Sequence, residues 1–145
     1  MRRILLASDF STTSRKALAT AIQTAKCNRA TLTILHVIAP FIPVSPELYT
    51  TFEAWGEIEK ESRAWAQRQL DRLTASAKKA GVRAIGVLAE GGAAREIVRA
   101  ANRTKAELVI IGTHGRTGLA KLFLGSVAGA VVATSRCPVM TVRGR

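Results

Sequence analysis

Hydrophobic residues recur along the chain in two alternating patterns, one typical of buried strands and the other of amphipathic helices. Short runs of branched apolar residues predict strands, and apolar residues that return every three or four positions predict helices. The predicted strands cover residues 4–7, 31–38, 82–88, 107–112 and 138–142. The predicted helices cover about 12–27, 51–80, 93–103 and 126–135.

Strands and helices therefore alternate from one end of the chain to the other. Such alternation predicts a mostly parallel sheet with helices on both faces. The run 107–112 is almost wholly apolar before its glycine, as expected for a strand covered on both sides. We expect a single α/β domain over residues 1–145.

Local signals suggest where the helices begin, end and face the sheet. Ser11 and Ser126 suit N-caps, while Asn28 and Gly81 suit left-handed stops. The predicted inner stripe of the long helix is Phe52, Trp55, Ile58, Ser62, Trp65, Gln69, Leu70, Leu73 and Ala77. Its two tryptophans could stack on bases, but covering the sheet is the interpretation that we favour.

Composition favours a protein that stays in the cytoplasm. With 48% hydrophobic residues the chain can build a core without disulfides or metals. Arg2 and Arg3 before an apolar stretch resemble a signal peptide, but Asp9 interrupts that stretch, so a buried strand is favoured. No apolar run is long enough to span a bilayer. Cys27 and Cys137 lack metal-ligand spacing, and we expect free thiols and no metal site.

The formal net charge of +12 predicts attraction to polyanions. Basic residues are scattered over the predicted helices and form no single dense run. A surface tuned for solubility is the simplest interpretation, with weak and nonspecific nucleic-acid contact as an alternative. We expect no specific nucleic-acid partner.

The loop after the fourth strand carries the strongest chemical signal. Its glycines are Gly112, Gly115, Gly118 and Gly125. Glycines let main-chain amides approach an anion, and Ser126 then opens a helix whose N-terminus favours negative charge. Arg116 and Lys121 add positive charge. The loop predicts a phosphate cradle, although glycine loops are also simple turns and the GxxxxGK[ST] pattern is absent.

At these residues the chain resembles the nucleotide-binding members of the universal stress protein family, which carry G-x2-G-x9-G-[ST] after the fourth strand. The matching positions are Gly112, Thr113, His114, Gly115, the nine residues 116–124, Gly125 and Ser126. The resemblance extends to Asp9 after the first strand, to His36-Val37, and to the segment 135–139. One departure is Gly91-Gly92-Ala93, where the family often has proline in place of the alanine.

The resemblance implies a Rossmann-like fold of the adenine nucleotide alpha hydrolase type, with strand order 3-2-1-4-5. That order places strands 1 and 4 side by side, at the reversal where open parallel sheets bind ligands. Asp9 would lie near the ribose or the adenine. Val37 would contribute to the adenine pocket through its backbone.

The resemblance also implies a phosphate site for ATP, AMP or ADP, with Mg²⁺ held mainly by the phosphates and water. The residues that would line the ribose and phosphate path are Gly112, His114, Gly115 and Arg116. The residues that would hold the phosphates are Gly125, Ser126 and Val127, through main-chain amides and the Ser126 hydroxyl. Members of the family usually form homodimers through the last strand.

Two functions follow from these residues. The first is a nucleotide-dependent regulatory module of the stress response, with no catalytic residues. The second is a slow ATPase or a nucleotidyl-transfer enzyme, for which only Asp9 and His114 are candidate groups. Simpler roles exist for Asp9, as a cap of the first helix, for His36, as a structural residue, and for His114, as a side chain packed beside the nucleotide.

Overall fold

The described residues of the computed structural model, 1–40, 52–113 and 124–144, alternate strands with helices as the sequence predicts. Side chains of residues 52–55 are outside this description. The strands are β1 (Arg3–Ala7), β2 (Thr31–Ile38), β3 (Arg83–Glu90), β4 (Leu108–Gly112) and β5 (Val139–Val142). The helices are α1 (Thr12–Asn28), α2 (Phe52–Lys79), α3 (Ala93–Thr104) and α4 (Ser126–Thr134).

The strands form one parallel sheet in the order β3-β2-β1-β4-β5, which confirms the expected order. Leu5 of β1 lies opposite Thr33 of β2 on one side and opposite Val109 of β4 on the other. The order of strands therefore reverses at β1 and β4, where the chain leaves β1 in one direction and later adds strands in the other.

Helices cover both faces of the sheet, as the alternation predicts. Ile4 and Leu6 of β1 pack on one face against α1 and α2, in a cluster that includes Ala21 and Leu70. Leu5 packs on the opposite face, in the cluster formed by α3 and α4. Because successive side chains of a strand point to opposite faces, one short apolar run serves both cores.

Two of the four predicted helix ends are confirmed and two are wrong by one residue. The Ser11 hydroxyl accepts the Ser14 amide at 3.1 Å, which makes Ser11 the N-cap of α1. Gly81 has φ 84°, as a left-handed stop requires. The left-handed residue after α1 is Arg29, with φ 50°, and the residue before α4 is Gly125, so Asn28 and Ser126 both belong to their helices.

The inner face of α2 differs from the predicted stripe. The buried residues of its described part are Ala66, Leu70, Thr74 and Ala77. Ile58 is 58% exposed and Trp65 is 39% exposed. The 28 residues of α2 span about 42 Å, whereas the eight of β3 span about 26 Å. The described buried residues of the helix all lie in its second half, and the predicted positions Ile58, Ser62 and Trp65 are exposed. The predicted positions Phe52 and Trp55 lie outside the described side chains.

Gly86 of β3 lets α2 approach the sheet closely. A Cβ at this position would lie 2.8 Å from Thr74 Oγ1 and 3.0 Å from Leu70 Cγ. The sequence reveals Gly86 only as a glycine in a strand, without indicating which element packs against it. None of the described helices combines the length and apolar character that crossing a membrane requires.

Candidate functional site

The two loops that the sequence singles out leave neighbouring strands. β1 and β4 pair in parallel, with Ala7 opposite Ile111, so the segments after them emerge side by side at the carboxyl edge of the sheet. This edge is where open α/β sheets place their ligands when the strand order reverses. We therefore take the crevice between β1 and β4 as the candidate site.

The loop after β1 is held by its own side chains. Ser8 is buried, and its hydroxyl accepts the Phe10 amide at 3.2 Å. Asp9 accepts the Ser11 amide at 3.0 Å through Oδ1, which engages one of its two carboxylate oxygens. Ser11 caps α1 and Asp9 does not. The suggestion that Asp9 is the cap of the first helix is therefore wrong. The hydrogen bond nevertheless fixes Asp9 at the mouth of the crevice.

An aromatic cluster, made of Phe10, His36 and Trp65, packs against this loop. Phe10 has φ 64° and stacks on the His36 ring, with centroids 4.1 Å apart. Trp65 packs edge-on against Phe10 at 5.5 Å. His36 Nδ1 lies 2.7 Å from the carbonyl oxygen of Ser8, and since a carbonyl only accepts, Nδ1 donates the hydrogen. These contacts support the structural role of His36 and place Trp65 against the loop after β1.

The two ends of the loop after β4 lie next to each other. Thr113 is buried directly after β4, and its carbonyl oxygen accepts the Gly125 amide at 2.7 Å. The hydrogen bond brings the first residue of α4, Ser126, to the carboxyl edge of β4. Residues 114–123 between the two ends, among them His114, Gly115 and Arg116, lie outside the described residues.

The start of α4 offers hydrogen-bond donors to this crevice. The first bond within the helix runs from the Gly129 amide to the Gly125 carbonyl oxygen at 2.8 Å. The amides of Ser126, Val127 and Ala128 precede it, and helical geometry provides no acceptor for them. The Gly125 amide is already engaged by Thr113, so the contribution of Gly125 is to close the loop. The three amides that follow remain as donors that an anion could use.

Val37 completes the part of the predicted site that the structure describes. It is half-buried near the end of β2, opposite Ala89 of β3, and packs on the face covered by α3 and α4. Since β2 lies next to β1, Val37 sits at the same edge as Asp9. Asp9, Val37, Gly112, Gly125, Ser126 and Val127 thus gather along one edge of three adjacent strands.

Sequence reasoning singled out the loop after the first strand, residues 8–11, but gave Ser8 and Phe10 no role of their own. Both act through the main chain, Ser8 by accepting the Phe10 amide and Phe10 by a left-handed turn. Serine and phenylalanine after a strand are common, so only the turn geometry reveals these roles. Among the described residues, no three histidine, cysteine or acidic side chains cluster as a metal site would require.

Comparison with known proteins gives a consistent result. The family model described as "Universal stress protein family" matches residues 1–143. Universal stress protein MJ0531 of Methanocaldococcus jannaschii is 34% identical over 144 residues, covering 98% of this chain and 82% of that protein. Universal stress protein YxiE of Bacillus subtilis is 34% identical over 145 residues, covering 97% of this chain and 98% of that protein.

Solved structures share the fold over nearly the whole chain. Hypothetical protein MJ0577 aligns with a TM-score of 0.84 and 26% identity, covering 99% of this chain and 96% of that one. A universal stress protein solved with cAMP aligns with a TM-score of 0.74 and 23% identity, covering 99% and 98%. A universal stress protein of Archaeoglobus fulgidus solved with dAMP aligns with a TM-score of 0.72 and 19% identity, covering 98% of both chains.

Proposed function

Because this chain belongs to the universal stress protein family, we propose that it binds an adenine nucleotide, with ATP as the main ligand and ADP or AMP as alternatives. The observation that carries the proposal is the hydrogen bond between the Gly125 amide and the Thr113 carbonyl oxygen. It brings the start of α4 to the edge of the sheet where β1 and β4 diverge. The solved relatives with cAMP and dAMP support an adenine nucleotide as the ligand class.

The nucleotide would lie along this edge from β2 to α4. Val37 would border the adenine, and the Asp9 carboxylate would accept hydrogen bonds from the ribose or the adenine. The amides at the start of α4, with the Ser126 hydroxyl, would bind the phosphates, because a helix N-terminus combines free donors with partial positive charge. Gly112, His114, Gly115 and Arg116 would complete the ribose and phosphate path, as the glycine motif implies.

A Mg²⁺ ion would be held mainly by the phosphates and by water. The described residues supply no cluster of three metal-ligating side chains, and Asp9 already engages one carboxylate oxygen with the Ser11 amide. Mg²⁺ keeps several waters when it accompanies nucleotide phosphates, so a site with few protein ligands suits it.

We assign the protein a regulatory role, in which nucleotide binding changes its shape or its partners within the stress response. The ligand would join the loops after β1 and β4, and both loops lead directly into helices. We place this activity in the cytoplasm, where a reducing environment agrees with the free thiols of Cys27 and Cys137. Slow ATP hydrolysis is the alternative, and it would require a base at Asp9 or His114.

We further propose a homodimer through β5. This strand lies at one edge of the sheet and exposes 38% of Met140. The neighbouring helix α4 is apolar around its circumference, with Val127 38% and Val132 47% exposed. A helix of that composition is normally covered, and an open edge can pair with a second copy of itself.

Ser126→Asp tests the nucleotide site. The carboxylate would stabilise the start of α4 but repel the phosphates, so we expect at least tenfold weaker ATP binding with thermal stability unchanged or slightly raised. Isothermal titration calorimetry measures the affinity, and a thermal melt reports folding. Ser76→Asp, on an exposed position of α2, is the matched control for the added charge.

The proposed site requires the two variants to differ. Equal ATP affinity in Ser126→Asp and Ser76→Asp would show that the start of α4 does not contact the phosphates. As a separate measurement, mass spectrometry of any ligand released from the purified protein identifies which nucleotide the protein carries.

A further inference from the structure

The residue that follows β5 continues the parallel ladder beside the loop that carries Gly125. Within the ladder, Val109 lies opposite Val139 and its amide donates to the Pro138 carbonyl oxygen at 3.0 Å. The same pattern recurs at the other end, where the Thr113 amide donates to the Val142 carbonyl oxygen at 2.9 Å. Thr113 therefore lies opposite Arg143, about one strand spacing, 4.8 Å, away.

The pleat of β5 decides which face Arg143 occupies. Val139 packs in the cluster covered by α3 and α4, while Val142 packs in the cluster covered by α1 and α2. Side chains alternate along an extended strand, so Arg143 points to the same face as Val139. That is the face on which α4 begins, and its first residues are tied to Thr113 through the Gly125 amide.

Gly144, the residue after Arg143, lies against α1. This contact fixes the backbone on the face of the sheet opposite to that of the Arg143 side chain. A Cβ at Gly144 would overlap Thr13 Oγ1 and lie 3.2 Å from Thr13 Cβ, so glycine suits this close approach. Contact of Gly144 with α1 agrees with the alternation, since α1 covers the face opposite to that of Arg143. The residues on either side of Arg143 are thus both held, Val142 by the Thr113 amide and Gly144 by its approach to Thr13.

The side chain of Arg143 is available for a ligand. Arg143 is exposed, and among the described residues it makes no ion pair. A guanidinium offers five donors in a planar fork that fits phosphate oxygens. The first amides of α4, on the same face of the sheet, also favour negative charge.

We propose that Arg143 binds the phosphate chain of the nucleotide from the β5 side of the site and so favours phosphorylated nucleotides over adenosine. The proposal rests on the proposed function, and it adds a specificity residue that lies outside the glycine motif. The amides of α4 and the guanidinium of Arg143 bind the same phosphates from two sides, while Asp9 and Val37 serve the nucleoside.

The test compares Arg143→Gln with Arg136→Gln by calorimetric titration of ATP, AMP and adenosine at fixed ionic strength. Arg136 is also exposed, and its loss changes the net charge equally. It lies between α4 and β5, at the amino end of the strands, whereas the candidate site lies at their carboxyl end. Arg143→Gln should weaken ATP binding about tenfold and leave adenosine binding unchanged, because a charge-assisted hydrogen bond is lost. Arg143→Lys, which keeps the charge, should recover part of the affinity.

Equal ATP affinity in Arg143→Gln and Arg136→Gln would overturn the assignment of Arg143 while leaving the nucleotide site intact. An equal loss of ATP and adenosine affinity in Arg143→Gln would also overturn it, since that outcome indicates a structural role. Failure of the unmodified protein to bind ATP, AMP or adenosine would refute the proposed function and this assignment together.

Discussion

Phe10 holds a backbone conformation that phenylalanine rarely adopts, with φ 64°. A residue with a Cβ in the left-handed region carries a cost of roughly 1–2 kcal/mol. Stacking on His36 at 4.1 Å and the edge contact with Trp65 at 5.5 Å offset this cost. The turn follows Asp9 directly, so the aromatic cluster stabilises the loop that carries the carboxylate of the proposed nucleotide site.

Two substitutions at Phe10 separate the backbone cost from the aromatic contacts. Phe10→Ala and Phe10→Gly both lose the stacking, and each should destabilise the fold by at least about 1 kcal/mol. Alanine keeps a Cβ in the left-handed region and glycine does not, so Phe10→Ala should be the less stable of the two by about 1 kcal/mol. Urea unfolding at equilibrium measures both values, and the reverse order would show that the turn relaxes when the ring is removed.

Two glycines, Gly86 in β3 and Gly129 in α4, differ in how closely their elements are packed against neighbours. α2 approaches the sheet at Gly86, where the Thr74 hydroxyl also donates to the Leu70 carbonyl oxygen at 2.9 Å. Gly129 lies inside α4 with no such constraint, because its nearest neighbour for a Cβ is Leu124 Cδ2 at 4.0 Å. The same residue type is therefore required in one element and unfavourable in the other.

Alanine at these two glycines should change stability in opposite directions. Gly86→Ala should destabilise the protein by about 1–3 kcal/mol, because the added methyl meets Thr74 and Leu70 in a packed interface. Gly129→Ala should stabilise it by about 1 kcal/mol, since alanine favours the helix and fits the space. Chemical denaturation of both variants checks the signs, and a neutral Gly86→Ala would show that α2 shifts away from the sheet without cost.

At the scale of the whole molecule, the two edges of the sheet differ in what surrounds them. β5 is flanked by the apolar helix α4, whereas β3 at the opposite edge ends at Glu90, which forms an ion pair with Arg63. The net charge of +12 acts over the entire surface and would attract polyanions, including the phosphates of the proposed nucleotide, from a distance. The proposed dimer and the proposed nucleotide site therefore depend on different properties, apolar area in one case and charge in the other.

A lysine on each edge strand tests where two copies meet. Met140→Lys places a charge on the β5 edge and should convert a dimer into a monomer in analytical ultracentrifugation, because edge lysines oppose pairing. Ile85→Lys places the same charge on β3, where Ile85 is 56% exposed, and should leave the dimer intact. Dissociation by Ile85→Lys instead, or a monomeric unmodified protein, would refute pairing through β5.

Periodicity and turn residues allowed most local features to be predicted from the sequence. The strands, the helices, the Ser11 cap and the Gly81 stop all depend on residues within a few positions of one another. The glycine-rich loop after β4 was likewise recognisable from its spacing. The strand order was available only through resemblance to a family, since no local pattern states which strands become neighbours.

The amino-acid sequence by itself determined the order of strands and helices and the place of the glycine-rich loop, because both depend on local backbone preferences and hydrophobic spacing. Only the tertiary structure decided which described positions of α2 are buried, since that depends on how the helix lies on the strands. It also decided that the Gly125 amide is engaged by the Thr113 carbonyl oxygen and that the Thr113 amide pairs with the Val142 carbonyl oxygen at the end of β5. Those features arise where distant segments meet, and their physical cause is packing between elements, which no window along the chain contains.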